Sequence, residues 1–95
     1  MSGEWEYKDC VVPFNVKGPL EENNTISMFR NEAWSQLRPV VMQILQKWLN
    51  EGWEPLAQIG PDCILIEQTS KRGLFSETKY IETKEVRIQM RRRHP

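Results

Sequence analysis

Between residues 37 and 49 the apolar side chains Leu37, Val40, Val41, Ile44, Leu45, Trp48 and Leu49 fall at offsets 0, 3, 4, 7, 8, 11 and 12. That spacing draws a single stripe down an α-helix. Arg38, Gln43, Gln46, Lys47, Asn50 and Glu51 occupy the other side, so the helix is expected to lie on a core rather than to be buried all round. Gly52, just past the last periodic residue, is free to take the left-handed conformation that ends a helix. The start is less sharply marked. Pro39 has no N–H and is tolerated in a first turn but not in an interior, which makes Ser35 or Gln36 the expected cap. Ile26 to Trp34 then forms a separate short helical turn, or else the first arm of one helix kinked at Pro39. Two segments are favoured.

The rest of the chain reads as strands. From Trp5 to Phe14, aromatic and β-branched residues are frequent, and Trp5 and Tyr7 alternate with Glu4, Glu6 and Lys8. This predicts a half-buried strand with its glutamates in water, ending near Val16. Lys17-Gly18-Pro19 and Glu21-Glu22-Asn23-Asn24 read as a polar loop. Trp53 to Ile59 is expected to be a short edge strand, because Pro55 cannot donate to a ladder. After a turn at Gly60-Pro61-Asp62, Cys63-Ile64-Leu65-Ile66 is apolar at every position, the pattern of a central strand covered on both faces. Ser70 to Thr78 reads as a long hairpin loop interrupted by Leu74-Phe75. Glu85 to Arg93 closes the chain with Val86, Ile88 and Met90 alternating against Arg87, Gln89 and Arg91, a strand with one wet, basic face. The expected class is α+β: a single antiparallel or mixed sheet of about four strands, in the order β-α-β-β-β, on one main helix. Ninety-five residues without a repeat or linker fit one domain over residues 1–95.

Composition removes several functions. Thirteen Lys+Arg balance thirteen Asp+Glu, so no overall positive field draws the chain to nucleic acid or to anionic membranes. No apolar run reaches the roughly 20 residues of a membrane span, and the first residues lack a signal-peptide pattern. The expected compartment is the cytoplasm. There Cys10 and Cys63, two thiols without C-x-x-C spacing, pack as free apolar groups, and the sequon Asn23-Asn24-Thr25 has no consequence.

Catalytic groups are sparse. His94 is the only histidine and lies beside the C-terminus, where no base is held still. One histidine, two distant cysteines and two aspartates, Asp9 and Asp62, build neither a zinc nor a calcium site. Gly52, Gly60 and Gly73 form no phosphate-cradling motif. No enzyme activity, cofactor or metal is expected.

Three features point outward. Arg87, Arg91 and Arg93 project from one face of the last strand, supported by Lys84 and Arg92, and are positioned to contact phosphates. That strand itself offers no stacking aromatic for an RNA base, and a charged edge that resists aggregation is the plainer reading. Trp34, with Phe29 and Met28, lies ahead of the Pro39 break and either caps the core or forms an exposed contact patch. Finally, one helix covers only one face of a sheet, while Leu56, Leu65 and either Ile64 or Cys63 put apolar atoms on both. The second face calls for a cover. A homodimer is the expected cover, with the 70–78 loop folding back as the alternative.

Trp5-Glu6-Tyr7-Lys8 followed by Val11-Val12, the helix, and Glu51-Gly52-Trp53-Glu54-Pro55-Leu56 together resemble a family. It is a family of short bacterial proteins, a domain of unknown function, that open with W-E-Y-K-V-V, continue into a helix and pass through E-G-W-E-L into a hairpin. Here Asp9-Cys10 interrupts the first motif and Pro55 stands where leucine would follow Glu54. The resemblance implies a strand-helix-hairpin domain and supplies no catalytic residue. The expected function is therefore that of a non-enzymatic cytoplasmic module. It acts by protein–protein interaction or self-association, with Phe29, Trp34, Leu56 and Leu65 as candidate contacts. RNA binding through Arg87, Arg91 and Arg93 is the alternative.

Overall fold

The computed structural model describes residues 3–21 and 25–94; the loop expected at Glu22–Asn24, its sequon asparagine and the two first residues lie outside them. One long strand organises everything. Elements follow in the order β1 (Trp5–Pro13), β2 (Lys17–Pro19), α1 (Ile26–Asn50), β3 (Glu54–Pro55), a 3-10 turn (Pro61–Cys63), β4 (Ile64–Arg72) and β5 (Glu77–Arg93). All four other strands pair with β5, each antiparallel. β1 and β2 run end to end along one side of it, β3 and β4 along the other. The class is α+β as expected, with five strands rather than about four.

Two of these strands correct the sequence reading. Lys17-Gly18-Pro19 is no loop but a short strand opposite Glu82, Ile81 and Tyr80. Gly18 is what allows it: a Cβ there would sit 3.0 Å from the Phe29 ring. The apolar run Cys63–Ile66 is not the centre of the sheet either. β4 pairs with β5 alone, and Leu65 is exposed while Ile64 is fully buried. An all-apolar run of four is too short to separate a covered strand from one whose outer face simply stays wet. The expected strand over 53–59 is reduced to Glu54–Pro55, past which the Leu56 N–H still donates to Gln89 O at 2.9 Å.

β5 solves a parity problem. Ile81 and Thr83 are buried at odd positions, Val86, Ile88 and Met90 at even ones. The register shifts between Leu65–Glu85 and Ile66–Thr83, leaving Lys84 as an extra residue in β5. This bulge turns both halves of the strand toward the helix. Across the sheet, β1 buries Cys10 and Val12. The expected parity of β1 is thereby inverted: Glu6 and Lys8 share the helix side, and Trp5 and Tyr7 face outward.

α1 is one continuous helix with Pro39 inside it, against the expected break. Its cap is Thr25, not Ser35 or Gln36; the Met28 N–H donates to Thr25 Oγ1 at 3.2 Å. The buried row is Phe29, Ala33, Leu37, Val41 and Leu45, spaced by four throughout, so the segment before Pro39 lies on the same core as the segment after it. Burial of Phe29 and Ala33, with a satisfied cap, offsets the roughly 3 kcal/mol that an interior proline costs. The predicted stripe was too wide, since Val40 and Leu49 stay exposed.

The helix ends as the sequence indicates. Gly52 takes φ +93°, its N–H donates to Leu49 O, and the Trp53 N–H donates to Trp48 O. This is the paired bonding of a Schellman motif, completed by edge-to-face packing of Trp48 and Trp53 at 5.3 Å. Arg92 lies over the Trp53 ring and donates to Glu51 O, placing positive charge at the negative end of the helix.

Candidate interaction site

The β4–β5 hairpin leaves the body of the protein. Every residue from Glu67 to Lys79 is exposed, and the molecule measures 65 × 24 × 17 Å with a radius of gyration of 17.1 Å, against about 12 Å for a compact chain of this length. The long 70–78 loop of the sequence reading is thus corrected: pairing continues to Arg72–Glu77, and the Gly73 N–H donates to Ser76 O at 2.7 Å. Nor does this segment fold back over the sheet. Only Leu74 and Phe75 form the tip, and they are 95% and 98% exposed.

Turn chemistry does not account for those two residues. Two-residue hairpin connections favour Asn and Gly because their backbones tolerate positive φ, and among the described residues no non-glycine has it. Two large apolar side chains have instead been carried to the point furthest from any core. The signal is present in the sequence, where Leu74-Phe75 interrupts a polar stretch.

The open face of the sheet, opposite α1, carries the arginines. Arg91 lies 4.1 Å over the Trp5 ring and Arg93 5.2 Å from it, with Tyr7 directly across from Arg91 in the ladder. The arginine-bearing end of β5 has no ring of its own, and its neighbour β1 supplies the stacking aromatics. Charge on this face is largely matched. Arg91 Nε donates to Glu54 at 2.5 Å, and Arg87 binds Glu85 at 2.8 Å and Asp9 at 3.4 Å. The Glu85 bond and charge raise the Arg87 pKa further above its ordinary value, with Asp9 adding to it. Lys84 bridges Glu67 and Glu82, and Arg92 is turned to the helix side, where Glu6 holds it.

The four candidate contact residues do not converge. Phe29 is buried beneath Gly18, so it belongs to the core and not to an exposed patch. Trp34 is half-buried against the core and borders an open cleft of about 440 Å³ with Arg38, Met42, Ile59 and Pro61. Leu56 and Leu65 are 42% and 43% exposed. Leu65 lines a second cleft of about 310 Å³ with Ala57, Cys63, Arg87 and Ile88. These two leucines, unlike Phe29 and Trp34, leave apolar surface next to the root of the arm.

Other chemistry is thin among the described residues. His94 Nε2 lies 3.6 Å from Glu6, no three potential ligands gather for a metal, and no helix is long and apolar enough to cross a membrane. Both cysteines are free; burial raises the Cys10 thiol pKa. Compared with protein-family models, curated proteins and solved structures, the chain matches none.

Proposed function

We propose that the protein is a small non-enzymatic binding module, acting by protein–protein interaction or self-association, and that the β4–β5 arm carries the contact. The observation behind this reading is the tip. An isolated two-stranded ribbon is marginally stable in water, and this one ends in two apolar side chains with no neighbour to bury them. A partner supplies both the missing burial and the missing order. A cytoplasmic setting belongs to the same reading, supported by the two unpaired thiols. So does membership of the W-E-Y-K-V-V family, supported by the order strand, helix, hairpin.

The test is site-specific photo-crosslinking in cells, with the reactive residue at position 75 and, as control, at the exposed helix position 40. Protein adducts at 75 and not at 40 support the arm as the contact. Adducts destroyed by nuclease, or none at 75, overturn it.

One observation favours a second reading, nucleic-acid binding through Arg87, Arg91 and Arg93: Trp5 and Tyr7 share their face of the sheet and offer rings for stacking. Arg87 and Arg91 are held by acids, however, which leaves Arg93 as the least neutralised of the three. Salt separates the readings. Phosphate contacts lose affinity by orders of magnitude between roughly 50 and 200 mM salt, whereas an apolar contact hardly responds.

A further inference from the structure

The outer edge of β4 carries its own complement. β4 is bonded along one side only, and Ile64–Arg72 presents an open edge nine residues long. Exposed edges of this length are normally blocked by proline, by a bulge, by an overlying segment or by charged side chains, and of these β4 has charges alone, of both signs: Glu67, Lys71 and Arg72. β4 has no proline, and the bulge at Lys84 is on β5, away from this edge.

We infer that the partner of this edge is a second copy of the same chain, joined by antiparallel β4–β4 pairing about a two-fold axis at Thr69. The inference rests on the arm being a protein-contact surface and names what it contacts. A two-fold axis perpendicular to the sheet keeps each face continuous, so a residue pairs only with one of its own face, and the centre must fall on a residue. Centred on Thr69, Glu67 of each protomer stands opposite Lys71 of its partner, twice by symmetry, and Gln68 stands opposite Ser70. Glu67 and Lys71 share the outer face, where Lys84 already holds Glu67. Shifting the centre to Gln68 sets Lys71 against Leu65; shifting it to Ser70 sets Glu67 against Gly73. Only the Thr69 register matches acid with base, and opposite charges directly across a ladder stabilise it while like charges do the reverse.

The same register places the tip. Leu74 of one protomer arrives level with Ile64 of its partner, and Phe75 level with Cys63. That is the end of β4 where the 310 Å³ cleft opens between Cys63, Leu65 and Ala57, and where Leu56 and Leu65 are exposed. Backbone edge, charge pair and apolar tip are thus matched by a single symmetry operation, as an isologous interface requires. β1 is a poorer match: a two-fold on Tyr7 would set Glu6 opposite Lys8, but Glu6 is already held by Arg92 and Lys8 lies over the Trp48 ring, while a two-fold on Asp9 opposes two carboxylates and one on Lys8 two ammonium groups.

The experiment is light scattering on a size-exclusion column over a concentration series. It compares the wild-type chain with Lys71→Glu, Glu67→Lys, the double charge swap, and Leu74→Ser/Phe75→Ser. The wild type is expected at twice the 11.3 kDa of the chain. Each single charge reversal is expected to weaken association roughly tenfold, by turning two attractive pairs into repulsive ones, and the double swap to restore it. The tip variant lies outside the ladder at almost fully exposed positions, so it is expected to keep the monomer fold, checked by circular dichroism, and to dissociate more readily. A monomeric wild type, or a double swap no tighter than either single reversal, overturns the inference. If the chain is monomeric while position 75 still crosslinks to another protein, the self-pairing fails and the binding-arm reading stands. If neither is seen, both fall.

Discussion

The Thr83 hydroxyl accepts the Val16 backbone N–H at 2.8 Å and donates to Phe14 O at 2.9 Å. Thr83 is fully buried, and its side chain stands where the ladder between β1 and β2 is interrupted at residues 14–16. The Thr83 N–H meanwhile donates to Val16 O at 2.9 Å. One hydroxyl therefore satisfies both a donor and an acceptor that the strand break would orphan.

Thr83→Val removes that link without changing shape. It leaves the Val16 N–H and the Phe14 carbonyl short of a partner, and the expected loss is about 1–3 kcal/mol of stability. Urea titration measures it. Thr83→Ser, which keeps the hydroxyl, is expected to lose less, and equal losses in the two variants would contradict the assigned role.

Beside that break, the Asn15 side-chain amide donates to Glu82 Oε1 at 2.7 Å. This bond first, then Lys84 and Lys17, holds the Glu82 carboxyl below its ordinary range. A carboxylate whose folded pKa is depressed contributes stability that is present above its unfolded pKa, about 4.3, and lost as pH falls through the folded value. Stability is expected to decline in that acid window. In Asn15→Ala the Glu82 titration, followed by NMR, moves back up toward the ordinary value, and the acid decline shrinks. An unchanged Glu82 titration would discard the Asn15 contribution.

How much of this was legible in the sequence depends on which interactions decide each element. The stop at Gly52 and the alternation of Val86, Ile88 and Met90 were readable because local bonding and parity settle them. The joined helix was not, because Phe29 and Ala33 hold its first half through contacts with residues distant in the chain, outweighing the local preference of Pro39. The parity of β1 was missed for a related reason. Trp5 and Tyr7 look like core residues by size, yet Trp5 is kept outside by arginines from β5 that stack on it. Arg87, Arg91 and Arg93 share one face as their parity indicates, but Asp9, which pairs with Arg87 beside Glu85 of the same strand, and Glu54, which holds Arg91, come from other strands. Leu74 and Phe75, assigned only to a loop, show that an apolar pair within a polar turn carries information about contact.

Burial also sorts the two thiols. Cys10 is sealed in the core, and burial raises its pKa, so its thiolate is scarce near neutral pH. Cys63 is partly accessible at the cleft. A thiol reagent at neutral pH is expected to titrate one group rapidly in the folded protein and the second only after denaturant is added. Mass mapping assigns the fast one to Cys63; fast labelling of Cys10 would mean that the sheet opens near β1.

Pro39 gives the sharpest test of the joined helix. Within a continuous α1 it removes the bond to Ser35 O and crowds that carbonyl, so Pro39→Ala restores an interior hydrogen bond at an exposed position. The proline's interior penalty is about 3 kcal/mol, partly offset because proline also restricts the unfolded chain, by roughly 1 kcal/mol. A net gain of about 1–2 kcal/mol is expected, read as a higher urea midpoint with an unchanged slope. Had a separate helix been capped at Ser35 or Gln36, the proline would sit in its first turn, where it is well tolerated, and alanine would bring no gain. A loss of stability in Pro39→Ala would therefore restore the two-segment reading that the packing of Phe29 and Ala33 argues against.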